Sequence, residues 1–295
     1  ALEPDDLATL KTSQIVALTT AQTSGLTTAQ IAALTTSQIA ALETSDLLVL
    51  KTSQIRALTS NQAAVLSTTQ VAILTTAQVT ALDTEDLAAL KTSQIRALTT
   101  AQAAVLTTAQ VAALTTAQVA ALETVDLAAL KTSQIAALTS SQAGALTTAQ
   151  LAALTTAQLA VLPQTGGLTS TQLAALTTSQ IAGLTTGQIA GLTTTVLITL
   201  KTSQIAALTS AQIAVLTTTQ LPALTTAQVA ALETSDLTIL KTSQIAALTS
   251  TQTPALTTAQ IAALTTAQIA ALEPDDLATL KTSQIVALTT AQTSG

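Results

Sequence analysis

The chain contains no cysteine, histidine, methionine, tryptophan, tyrosine or phenylalanine. Without histidine and cysteine it lacks the usual general base, the thiol nucleophile and the soft metal ligands. Without aromatics it has no stacking platform for bases or sugars. Charge is scarce at 8% of residues, and each charged side chain falls at a recurring position of a repeat. A catalytic site needs a converging, non-repeating constellation of groups, so the composition points away from an enzyme. No catalytic, cofactor-binding or metal-binding residue is expected. Nine Lys and Arg against a net charge of -6 give no basic face for phosphates, which excludes nucleic acid as a partner. No run of about 18 apolar residues occurs, so no membrane-spanning helix is expected. The opening residues Ala1 to Asp6 are acidic and belong to the repeat, with no signal-peptide pattern. The lack of cysteine fits both the cytosol and an exported fibre that avoids disulfides.

What the chain has is leucine at every eighth position. The series runs from Leu2 through Leu26 to Leu162, slips by two residues, and resumes from Leu168 to Leu288. The unit is Leu-Thr-Thr-Ala-Gln-Ile-Ala-Ala, as in Leu26 to Ala33. A short period over a whole chain implies a solenoid or fibre, in which rungs add one to the next instead of closing one core. Three segments follow: an octad array over 1–162, a phase-slip turn over 163–167, and a second array over 168–295. Residues 1–25 and 271–295 are identical, so the large period is 270 residues and the chain reads as a window on a longer protein.

With the leucine labelled 0, positions 1 and 2 are mostly Thr, position 3 is small and variable, and position 4 is Gln or, in a few octads, Asp. Val196 is the exception at position 4 in a full octad. Position 5 is mostly Ile, Val or Leu, and positions 6 and 7 are mostly Ala. This order predicts a helix start. With Thr27 as N-cap, its hydroxyl accepts from the Gln30 amide and the Gln30 side chain reaches back to the Thr27 amide, a capping box. Leu26 and Ile31 then occupy the two positions of a hydrophobic staple. In Glu3-Pro4-Asp5-Asp6, Pro4 falls at N1 and the aspartates meet the positive end of the helix dipole.

A single long helix is excluded, because eight residues turn an α-helix by about 800° and the leucine stripe would drift about 80° per octad. The spacing is neither a heptad nor an 11-residue repeat. Breakers fall late in the octad, with Pro222, Pro254 and Gly144 at position 6 and Gly25, Gly183 and Gly191 at position 7. The expected fold is therefore all-α, a solenoid of short capped helical turns, one per octad. A β-solenoid is the alternative, since Thr, Ile and Val favour strands. It is disfavoured because positions 0 and 5 have opposite parity and cannot share a strand face. A disordered chain is the third. Leucine at 0 and the aliphatic at 5 are the expected core.

Charges follow a 40-residue period. Lys11, Lys51, Lys91 and Lys131 stand at position 1, and the series resumes at Lys201, Lys241 and Lys281. The octad before each Lys carries acids at positions 1 and 4, as in Glu43 and Asp46 or Glu123 and Asp126; the octad before Lys201 has Thr193 and Val196 instead. This is either a solvated stripe or a set of ion pairs between rungs or chains. As Ca²⁺ ligands, Glu3, Asp5 and Asp6 lack the glycine and the distant bidentate Glu of the familiar loop.

The octads, quoted as Leu26-Thr27-Thr28-Ala29-Gln30-Ile31-Ala32-Ala33, resemble the Thr/Ala/Gln-rich arrays of very large bacterial secreted or surface proteins. The resemblance implies an extracellular or cell-surface structural protein, a filament, sheath or stalk, with copies of itself and a cell or solid surface as partners. It implies no functional residue. The alternative is a surface-binding adhesin or ice-binding type of module that uses the regular Thr array.

Overall fold

A computed structural model describes residues 3–163 and 168–293. Among them are 34 α-helices of four to six residues and one 3-10 helix at Thr253–Ala255, with no strand. The all-α solenoid is the fold, and the β-solenoid alternative is excluded. Residues 164–167 of the phase slip lie outside the described residues.

Each α-helix starts at position 2 of its octad and ends at position 5, 6 or 7, as in Ser60–Ala63, Thr52–Arg56 and Thr28–Ala33. The N-cap is position 1. At Thr27 the hydroxyl accepts from the Gln30 amide at 3.2 Å, and Gln30 Oε1 accepts from the Thr27 amide at 2.7 Å. Pro4 and Pro274 stand at N1, as expected. The corner is made by two extended residues, the C-capping leucine and the next N-cap. Leu34 has φ -59° and ψ 138°, and Thr35 has φ -69° and ψ 159°. Both are ordinary L-residue conformations. The corner therefore needs no glycine; the next capping box, which claims the threonine amide, resets the chain. Proline at position 6 has a visible local effect. The Pro254 octad is 3-10 and the Pro222 octad is a series of turns, because proline has no amide for an i→i−4 bond.

Helices this short have no independent stability in water. Packing holds them, and Cα packing divides the chain into two units: Ala1–Leu154 with Val161–Pro163, and Thr155–Ala160 with Gln164–Gly295. Within the first, Pro4–Thr9 packs on Thr28–Ala33, and Thr76–Ala81 on Thr52–Arg56, each three octads apart. Within the second, Thr258–Ala263 packs on Thr282–Val286, again three octads apart. In both units position 0 and position 5 are buried, for example Leu98 and Ile95, or Leu264 and Ile261. Burying each such side chain contributes about 2 kcal/mol, which offsets the ordering of its own octad only when neighbours cover it. Ile15, in Thr12–Val16 and covered by Thr36–Ala41, is fully buried.

Candidate functional site

The organising polar feature is the glutamine at position 4. In the interior of each unit it is buried, with Gln62 and Gln118 at 2% and 1% exposure. A buried primary amide must place its oxygen and both its N–H groups near partners. Its Oε1 is used in the capping box. Its Nε2 points the other way, across to the preceding turn. Gln62 Nε2 donates to the Leu34 carbonyl at 2.6 Å and the Ile31 carbonyl at 2.9 Å, residues 28 and 31 positions earlier. Gln110 does the same to Leu82 and Val79, both at 2.9 Å. In the second unit Gln212 reaches Leu184 at 2.6 Å and Ile181 at 2.9 Å, and Gln268 reaches Leu240 and Leu237. These carbonyls lie at the end of a helix four octads back, where the last carbonyls lack i→i+4 partners; that of Ile31 also accepts from the C-capping Leu34 amide at 3.2 Å. One side chain thus caps the start of its own helix and the end of another. With helices packed three octads apart and amides reaching four, one turn of each unit takes between three and four octads.

Aspartate at position 4 changes this contact. Asp46, Asp86, Asp126, Asp236 and Asp276 are all 4% exposed or less. A carboxylate has no N–H to give to the preceding turn. Three of these residues accept instead from a hydroxyl 26 positions earlier: Asp86 from Ser60 at 2.9 Å, Asp126 from Thr100 at 2.6 Å and Asp236 from Ser210 at 2.8 Å. Burial pushes the carboxyls of Asp46, Asp86 and Asp276 above the ordinary value of 3.8, and neighbouring acids on the same octad push the same way. At Asp86 the Ser60 hydroxyl opposes that rise.

The acid octads stand four octads after a Lys octad, one turn on, so the 40-residue period sets each acid octad against a Lys octad. Among the described residues the ion pairs formed there use arginine at position 6, not the lysines. Arg56 Nε lies 3.8 Å from Asp83 and Arg96 Nε 3.4 Å from Glu123. The seven lysines are exposed.

Asp83 and Glu85 also border an open groove of about 380 Å³, with Thr80, Thr84, Thr107 and Gln110 on its walls. It offers two carboxylates and threonine hydroxyls, and Asp83 is already engaged by Arg56. Among the described residues no group of three or more acids is placed to hold a metal ion, Glu3, Asp5 and Asp6 included. No helix among them is long and apolar enough to cross a membrane.

The glutamine ladder escaped the sequence reading, which gave position 4 only a capping role. The signal available was its near invariance along the chain, since an exposed cap tolerates Glu, Ser or Asp.

Comparison with known proteins agrees with this organisation. No curated protein matches the chain. The ALTTAQ repeat matches it eight times, at residues 1–36, 39–76, 79–116, 119–156, 166–194, 197–226, 229–266 and 269–295. The first four matches recur at about the spacing of the lysines. The chain belongs to the ALTTAQ repeat family.

Proposed function

We propose that the chain is a structural, non-catalytic element of an extracellular or cell-surface protein, serving as a length of filament, sheath or stalk. The observation that carries this reading is the glutamine ladder, in which octad after octad with a buried glutamine is tied to the octad four before it by the same kind of hydrogen bonds. Such an array gains length by adding rungs, and its stability is the sum of local rung and neighbour contributions. The side chains on its outer surface are mostly Thr, Ser and Ala, which offer no nucleophile with an adjacent base. Association with further copies belongs to the same proposal.

The test has two arms. The purified chain is imaged by negative-stain electron microscopy across a concentration series, and intact producing cells are probed with an antibody against it. Rods or filaments of uniform width, together with antibody binding on unpermeabilised cells, are the expected results. Compact particles at all concentrations would remove the filament, and labelling only after permeabilisation would remove the surface location.

A further inference from the structure

The interior glutamines give a rule for what each turn presents to the next: the carbonyl 28 residues before position 4 receives an N–H. At Asp86 that carbonyl belongs to Leu58, itself 5% exposed, and no side chain donates to it. The carboxylate is 96% buried by the same measure, its Oδ1 accepts from Ser60, and its Oδ2 has no hydrogen-bond partner. An acceptor thus stands in a row built for donors, at the contact between Thr84–Ala89 and Ser60–Ala63. A buried carboxylate without a donor is costly, and the inexpensive remedy is a proton.

We propose that Asp86 binds a proton when these two turns pack, and that Oδ2–H then supplies the donor that glutamine supplies elsewhere, making this inter-turn contact one that weakens as the proton leaves.

The charged groups nearby favour the neutral form. Asp83 and Glu85, on the same octad, are both acidic. The helices packed against Thr84–Ala89 are Ser60–Ala63 and Thr108–Ala113, and neither contains a titratable residue. The cation that ion-pairs with the octad, Arg56, is directed at Asp83. Burial raises the Asp86 carboxyl above 3.8, with the acids adding to it and Ser60 subtracting. The sign follows. A group whose folded value lies above its unfolded value contributes fully below the unfolded value, and that contribution is lost as pH rises through the folded value. The contact is therefore firm below pH 3.8 and loosens as pH rises through the raised carboxyl value.

The test is a carboxyl-carbon NMR titration of the full chain labelled at aspartate Cγ, of which it has nine; Asp86→Asn identifies the Asp86 signal. The expected midpoint is above 3.8, and Ser60→Ala moves it further up by removing the one donor. In hydrogen exchange, corrected for intrinsic rates, opening of Ser60–Ala63 rises with pH by at most tenfold per unit, as one proton allows, and Asp86→Asn abolishes that dependence. A midpoint at or below 3.8, or a midpoint unmoved by Ser60→Ala, overturns the proposal. So does an opening constant whose pH dependence is the same in Asp86→Asn.

Discussion

The side chain of Gln62 spans two turns: its Oε1 accepts from the Thr59 amide at 2.8 Å while its Nε2 donates to the Leu34 carbonyl at 2.6 Å. Replacing it removes an acceptor from the Thr59 amide and a donor from the carbonyl of the buried Leu34. Gln62→Ala should therefore cost about 1–3 kcal/mol, the price of leaving buried backbone groups unsatisfied, and not the few tenths expected of one cap among many. Hydrogen exchange read at Thr28–Ala33 as well as at Ser60–Ala63 checks this. Loss of protection only in the helix that carries the substitution would show that the reach to Leu34 contributes nothing.

Glutamate and aspartate at this position should differ although both are acids. Asp86, Asp126 and Asp236 each accept from a hydroxyl 26 residues earlier. For Gln110 the matching residue is Thr84, so Gln110→Asp has a donor to turn to. Gln110→Glu keeps the length of glutamine and drives a carboxylate at the Val79 and Leu82 carbonyls. At pH 7 the order of melting temperatures should be wild type, then Asp, then Glu. The gap between Glu and Asp should shrink as the glutamate protonates on acidification. Equal melting of the two variants at pH 7 would refute the hydroxyl as the reason aspartate is accommodated.

Much of the fold was legible because the octad encodes it locally. The capping box at Thr27 and Gln30, the N1 prolines and the buried Leu and Ile columns all follow from side-chain chemistry within eight residues. Three things were not legible. The corner at Leu34-Thr35 is ordinary extended backbone, so the glycines and prolines late in some octads are tolerated there and do not create it. The Gln62–Leu34 bond joins residues 28 apart, a separation fixed by how many octads make a turn, which no single octad specifies. The charge register needed the same quantity. Only when a turn is known to take between three and four octads does a 40-residue period set Asp83 against Arg56.

Two glycines should respond to alanine with opposite signs. Gly144 ends the helix Ser140–Gly144, and a Cβ there would meet nothing within 4 Å. Gly144→Ala should stabilise by about 0.5–1 kcal/mol, through reduced freedom of the unfolded chain. Gly183 has φ -82°, so its backbone makes no demand for glycine. A Cβ there would lie 2.7 Å from Thr156 Cβ and 2.8 Å from its Cγ2. Gly183→Ala should destabilise by about 1–3 kcal/mol, as overpacking does, and Thr156→Ser should recover part of it by removing the methyl. Calorimetry on the three variants decides both signs.

The arginine pairs should matter little and should be salt-sensitive. Arg96 and Glu123 are both more than half exposed, with Nε and Oε1 3.4 Å apart. Such pairs contribute under about 1 kcal/mol and are screened by salt. Arg96→Gln should lower the melting temperature slightly at low ionic strength and leave it unchanged at about 1 M NaCl, where the Debye length is about 3 Å. A difference that persists in high salt would assign the effect to packing of the arginine stem.

Damage to the core should stay local. Leu98 is 4% exposed and sits at the corner between Thr92–Arg96 and Thr100–Ala103. Leu98→Ala should cost about 2–5 kcal/mol, the transfer free energy plus that of the cavity. In a globule with one core, that loss would lower protection everywhere at once. Here, among the described residues, the main contacts of an octad are with its sequence neighbours and the octads three and four steps away. Hydrogen exchange should therefore fall in the octads within one turn of Leu98, from about residue 66 to about residue 130. Pro4–Thr9 and Thr12–Val16, in the same unit, should keep their wild-type rates. Uniform loss of protection through the first unit would instead make that unit a single cooperative body, and the additive stability on which the filament reading depends would fail with it.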